Sequence, residues 1–173
     1  HGCADAPDHW YVSERTELHA SPAIRSASRQ ALAMAGKALA DIDVIDLYSC
    51  FASAVQIGCE EIGLAEDDAR GLTITGGLPY FGGPGNNYVT HSISEMLRRL
   101  RARPSAFGLV TANGNYVTKH SFGVYSTDPP AGPWRRERPA ALQAQMDALP
   151  KAPFTETPQG AATIETYTVM HGR

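Results

Sequence analysis

Four groups of residues in this chain are of types and spacings that can do chemistry: a glycine-dense segment, three cysteines, two histidines and an asparagine–glycine pair. The segment at residues 73–87 carries Gly76, Gly77, Gly82, Gly83 and Gly85 together with Pro79 and Pro84. Glycines at that density let backbone approach backbone or a ligand closely. The segment reads as a strand-to-helix turn, and Asn86 or Asn87 is placed to cap the helix that follows. Amides at a helix start stabilise a phosphate or a developing oxyanion. No Gly-Lys-Ser/Thr follows, and the spacing is not that of a dinucleotide fingerprint. A tight turn between packed layers is the competing reading of the same glycines.

Cys50 falls where the first turn of a helix is expected, a position whose dipole lowers a thiol pKa and favours a nucleophile. A small buried packing residue is the alternative. Cys59, in mid-helix, reads as packing. His91 sits roughly 200° around its helix from Val89, opposite the apolar stripe, so it meets solvent or another domain. His120 follows Lys119 in an expected strand just past the Asn113-Gly114 pair. Both histidines are general acid–base candidates by type, and both suit ordinary structural roles.

These residues need elements to hold them. Ser21 caps, and Pro22 opens, a helix whose stripe is Ile24, Ala27, Ala31, Leu32 and Ala35, with Gly36 placed to end it. Residues 44–48 read as a short strand. Residues 50–62 read as a helix apolar nearly all round, capped by Ser49, stopped by Gly63 and therefore buried. Val89, Ile93, Met96, Leu97 and Leu100 mark a third helix over residues 88–101, with Arg98, Arg99 and Arg101 at the end where the macrodipole favours cations. Residues 106–112 form a strand, Asn113-Gly114 a hairpin turn and residues 117–126 the return strand. The order is that of a layered α/β unit over residues 1–126. Seven of the twelve prolines then lie between Pro129 and Pro158, which marks residues 127–162 as a linker. A short helix inside it, residues 139–149, presents Leu142, Met146 and Leu149 on one face. A strand-like run at residues 163–170 closes the chain.

With 173 residues the chain can bury roughly 70% of its unfolded surface. Fifteen Lys and Arg against 18 Asp and Glu give a net charge of −3, which leaves no basic footprint for nucleic acid or an anionic membrane. No apolar run is long enough for a membrane span. Cys3, Cys50 and Cys59 fit neither a disulfide framework nor a zinc site, so a reducing cytosol is expected and no metal. The chain opens without Met and ends just after a strand-like run, which predicts a piece of a longer protein.

The order of these motifs resembles the C-terminal domain of the thiolase superfamily over residues 1–126, most closely the sterol-carrier-protein type. The run 43–47 leads into Tyr48-Ser49-Cys50-Phe51, where the family carries Asn-Glu-Ala-Phe or His-Asp-Cys-Phe. Gly76-Gly77 runs into Gly82-Gly83-Pro84, where the family has a Gly-Gly segment and Gly-His-Pro. Asn113-Gly114-Asn115 occupies the family's Cys-X-Gly turn. The resemblance implies a layered α/β half, a mixed sheet with helices on both faces, followed by a proline-rich linker and the truncated start, at residues 163–173, of an additional β-domain.

The departures are specific. The family's activating histidine falls on Gly83, its water-positioning residue on Tyr48 and its second catalytic cysteine on Asn113; its nucleophilic cysteine belongs to an N-terminal domain. The Cys of His-Asp-Cys-Phe, matched by Cys50, is not the nucleophile. The resemblance therefore implies the C-terminal part of a thiolase-like acyltransferase, acetyl-CoA acetyltransferase-like, that handles acyl-CoA thioesters. His91, His120 and Asn113 are the candidate catalytic residues; Tyr48, Phe51, Gly82, Gly83, Pro84 and Asn86 are the candidate substrate contacts. Coenzyme A enters as substrate, with no separate cofactor. The expected partners are acyl-CoA, the N-terminal thiolase domain and a second copy or partner enzyme. The alternative is a catalytically degenerate acyl-CoA-binding or scaffolding module.

Overall fold

In the computed structural model, which describes residues 1–164 and 167–172, a four-stranded mixed sheet separates two helical layers. The strands are β1 (Gly2–Pro7), β2 (Val44–Asp46), β3 (Phe107–Gly114) and β4 (Lys119–Ser126), in the order β1-β4-β3-β2. β4 pairs antiparallel with β1 and β3, and β2 pairs parallel with β3. The helices are α1 (Pro22–Ala35), α2 (Ala52–Ile62), the single turn α3 (Leu78–Phe81), α4 (Tyr88–Ala102) and α5 (Pro139–Asp147).

Alternation along the strands divides the core. Leu109, Phe122 and Val124 join Ala4, Ala6 and Ile45 beneath α1, α2 and α5. Val110, one residue on from Leu109, faces the other way and packs with Met96 and Leu100 of α4. The expected sheet with helices on both faces is what the chain builds.

β1 has no counterpart in the sequence reading. Gly, Cys, Ala, Asp, Ala and Pro have little strand propensity of their own. The strand forms because its small residues let α1 lie almost on its backbone: a Cβ on Gly2 would fall 2.0 Å from the Ala31 carbonyl oxygen.

α1 matches its expected bounds. The Ser21 Oγ accepts from the Ile24 N–H, Pro22 opens the helix and Gly36 ends it at φ 63°. α2 departs from expectation in two ways. It starts at Ala52 behind Phe51, which offers no capping group, so Ser49 is not its cap and Cys50 lies in the loop before it. It is also buried on one side only: Ala54, Gly58, Cys59 and Glu61 face inward, while Phe51 is 70% exposed.

α4 keeps Met96 and Leu100 of its expected stripe in the core and buries Tyr88 and Ser92 beside them, with Val89 and Ile93 at the margin. The hairpin turn moves. Asn113 and Gly114 pair with His120 and Lys119, so the ladder runs two residues further and residues 115–118 make the turn. Asn115 and Val117 take positive φ there, 58° and 52°. Arg15 fastens this turn, donating to the Tyr116 carbonyl and the Thr118 hydroxyl.

α5 docks Leu142 and Met146 into the same core as α1. Residues 163–164 and 167–170 form no strand; Glu165 and Thr166 of that expected strand, and the terminal Arg173, lie outside the described residues.

Candidate functional site

The glycine-rich segment meets the sheet where β2 ends. Asp46, fully buried, accepts at one carboxylate oxygen from the Ile74 N–H (2.9 Å) and the Thr73 hydroxyl (3.0 Å). The Thr75 hydroxyl contacts the Tyr88 hydroxyl (2.6 Å) and accepts from the Gly77 N–H (3.2 Å). The Leu78 N–H donates to Ser49 Oγ (3.1 Å). Gly77 is required here: its φ is 84°, and a Cβ would sit 2.8 Å from that oxygen. The segment is thus not a strand-to-helix turn. Side-chain hydrogen bonds hold its first half, which then folds into α3.

The second half is open. Residues 80–87 are exposed, and no atom beyond their own neighbours in the chain lies within 4 Å of a Cβ placed on Gly82, Gly83 or Gly85. Residues 85–87 make a tight turn that continues into α4. Asn87 stands before α4 without capping it; its side chain reaches His91 instead, at 3.2 Å.

Beside this turn, over the α4 face of the sheet, lies a cavity of about 590 Å³. Tyr48, Gly85, Asn86 and Val89 wall one side, Trp10 another, and Ala112, Gly114, Lys119 and Ser121 the floor. Tyr48 is fixed edge-on to Tyr88 at 5.4 Å, and Phe81 stands edge-on to Tyr88 at 5.6 Å. Burial raises the Tyr48 hydroxyl pKa, helped by Cys50 and Tyr88.

The structure brings Tyr48, Asn86, Asn113 and His120 to this cavity, but not Phe51, Gly82, Gly83, Pro84 or His91. His91 is exposed, against Phe81 and Asn87. His120 and Asn113 reach the cavity only along the strand backbone. Alternation sends their side chains through to the α1 and α2 face, with Phe122 and Thr111. There the His120 imidazole is locked: Nε2 lies 3.3 Å from Ser21 Oγ and 3.4 Å from the Asp8 carboxylate, and the side chain is 1% exposed. Ser21 donates to Asp8 at 2.5 Å, and Asp8 also accepts from the Ala23 N–H. Glu61 accepts from the Ser21 N–H and from Arg25. An imidazole held this way ties β4 to the start of α1.

Asn113 donates to Cys50 Sγ at 3.5 Å. Burial raises the Cys50 thiol pKa, against the lowering expected from a helix start. The reason is the late start of α2, which leaves Cys50 outside its first turn. Among the described residues no group of three or more His, Cys, Asp or Glu side chains could hold a metal ion. No helix there is long and apolar enough to cross a membrane.

Asp8, Asp46, Thr75 and Trp10 are the residues of consequence that sequence reasoning passed over. Asp8, Asp46 and Thr75 act through partners on other segments, Trp10 lines the cavity, and no motif or period marks them.

The fold places the chain in a class. Residues 4–127 match the family described as thiolase C-terminal domain-like, and the chain belongs to that family. Among solved structures it is similar to a monomeric SCP2-thiolase like protein type 1 (STLP1) from Mycobacterium smegmatis, with 47% identity and a TM-score of 0.86. The match covers 92% of this chain and 35% of that one, so this chain spans about a third of its neighbour's length. No curated protein matches it.

Proposed function

We propose that this chain is the thioester-binding half of a thiolase-like protein, and that it contributes a cradle of main-chain amides rather than a base. The observation that carries this reading is the cavity beside residues 85–87. It is apolar along Trp10, Val89 and Ala112, and its one flank is the glycine turn leading into α4. An acyl chain suits such a wall, and amides at a helix entrance suit a thioester carbonyl. Neither imidazole serves that carbonyl: His91 stands outside the cavity and His120 is turned through the sheet. Gly83, at the family's histidine position, offers nothing in its place.

Condensation or cleavage of acyl-CoA, the acyltransferase reading, then depends on groups this chain does not carry. Loss of a positioned base costs about 10²–10⁴ in rate. The binding reading is favoured by where the two imidazoles lie. Calorimetric titration of the protein with acetyl-CoA and a longer acyl-CoA tests it. Saturable binding that Val89→Asp abolishes is the expected result. Absence of saturation with both ligands overturns it. Acetoacetyl-CoA thiolysis separates the catalytic version: turnover above background that survives His91→Ala would place the base elsewhere.

A further inference from the structure

The proline-rich stretch after β4 bridges a groove beside α1. Residues 130–137 are exposed and belong to no helix or strand. Ties hold the stretch at either end. Ser105 donates to the Asp128 carboxylate at one; at the other Arg136 pairs with Asp5, and the Gln30 amide donates to Glu137. Between them a Cβ on Gly132 would meet no atom within 4 Å. A groove of about 990 Å³ is left between this strap and α1. We propose that the groove is a binding site for a nucleotide, a ligand that joins a planar ring to phosphate. The inference stands apart from the thioester reading, because this groove and the cavity beside residues 85–87 share no lining residue.

The charge balance of the lining carries it. Glu137 is its one acidic residue, and Gln30 engages that carboxylate. Arg136 is matched by Asp5. Arg29 on α1 and Arg135 on the strap line the same groove, and neither forms an ion pair with a described residue. In a chain of net charge −3, two unmatched guanidiniums thus meet at one concave surface. A guanidinium binds phosphate through paired N–H donors and is more weakly hydrated than an ammonium. Beside them Trp134 is 59% exposed, and its indole stacks on no described ring. Such a face takes a planar base. Ala33 and Met34 add apolar wall. The volume is within the range of small-ligand sites. A fatty chain would leave both guanidiniums without a counter-charge, and a bare phosphate would leave the indole uncovered. A nucleotide satisfies both.

The test is calorimetric titration of the protein with ADP, with inorganic pyrophosphate as the comparison ligand. Saturable ADP binding, tighter than that of pyrophosphate, is expected. Arg29→Ala and Arg135→Ala should each weaken ADP by at least about tenfold. Trp134→Ala should weaken ADP and leave pyrophosphate unchanged. All three side chains are exposed, so these variants keep the fold, which circular dichroism checks. Free ADP and the nucleotide end of coenzyme A offer the same chemistry, and competition separates them. Displacement of ADP by coenzyme A supports the site with that end as its ligand; ADP binding untouched by coenzyme A supports it with a free nucleotide. Absence of saturation by ADP overturns the proposal. So does ADP affinity that is unchanged when Arg29→Ala and Arg135→Ala are combined, or pyrophosphate binding as tight as that of ADP.

Discussion

The two faces of the sheet handle polar groups in opposite ways. On the α1 and α2 face, Asp8, Ser21, Glu61 and His120 are buried and bonded to one another across four elements. On the α4 face, at the glycine turn, side chains stand open: Tyr80 is 90% exposed, and residues 82–87 are all exposed. A titratable residue on the first face is a fastening. A residue with almost no side chain on the second face is part of an opening. Residue type therefore misleads here, since the most base-like side chain, His120, belongs to the closed face and the cavity on the other face is flanked by glycine.

This contrast can be broken experimentally. The largest effect is expected for Asp8→Ala, which strips partners from Ser21, Ala23 and His120 at once. A loss of about 3 kcal/mol in chemical denaturation is expected, since bonds to a charged acceptor are each worth about 1.5–3 kcal/mol. A loss below about 1 kcal/mol would mean that this face is not the fastened one. Gly2→Ala comes next. Its Cβ meets backbone at 2.0 Å, so β1 or α1 must shift, and overpacking of this kind costs about 1–3 kcal/mol.

The third test moves to α4. Arg98 and Arg99 hold the Glu95 carboxyl down at about 2, below its ordinary 4.5. A depressed carboxylate contributes stability that is present above 4.5 and lost as the pH falls toward 2. Glu95→Gln should flatten the acid limb of the stability profile across that window by lowering stability above about pH 4.5, and should change little below about pH 2. The smallest effect is expected at Gly83→Ala. The position lies outside the left-handed region and has open space around it, so stability should stay within about 0.5 kcal/mol. A loss as large as that of Gly2→Ala would show the glycine turn to be packed and would remove the contrast.

How much was legible in advance varies by element. α1 was readable because its signals are local: a serine cap, a proline at the first position, a 3.6-residue stripe and a glycine stop, all within residues 21–36. The layered α/β class followed from the order of such segments, and the family from the motif order around Tyr48, Gly76 and Asn113. The hairpin was readable as a hairpin but not in its register. Asn113-Gly114 is a strong two-residue turn signal, but Arg15, Asp8 and the pairing of β1 extend the ladder past it. α2 read as buried on composition alone, and only its neighbours decide which apolar residues are covered.

The sequence by itself determined where helices can begin and end, which residues are too small to carry chemistry, and that the family's histidine position holds Gly83. Those properties are set within a few residues of chain by capping, periodicity and side-chain identity. Tertiary structure alone decided that the strand Gly2–Pro7 exists despite its poor strand formers, that His120 and Asn113 turn away from the cavity they border, and that Asp46 ties the glycine segment to the sheet. Each depends on partners tens of residues distant, and which face a strand residue takes follows from register, where a shift of one residue exchanges the two sides.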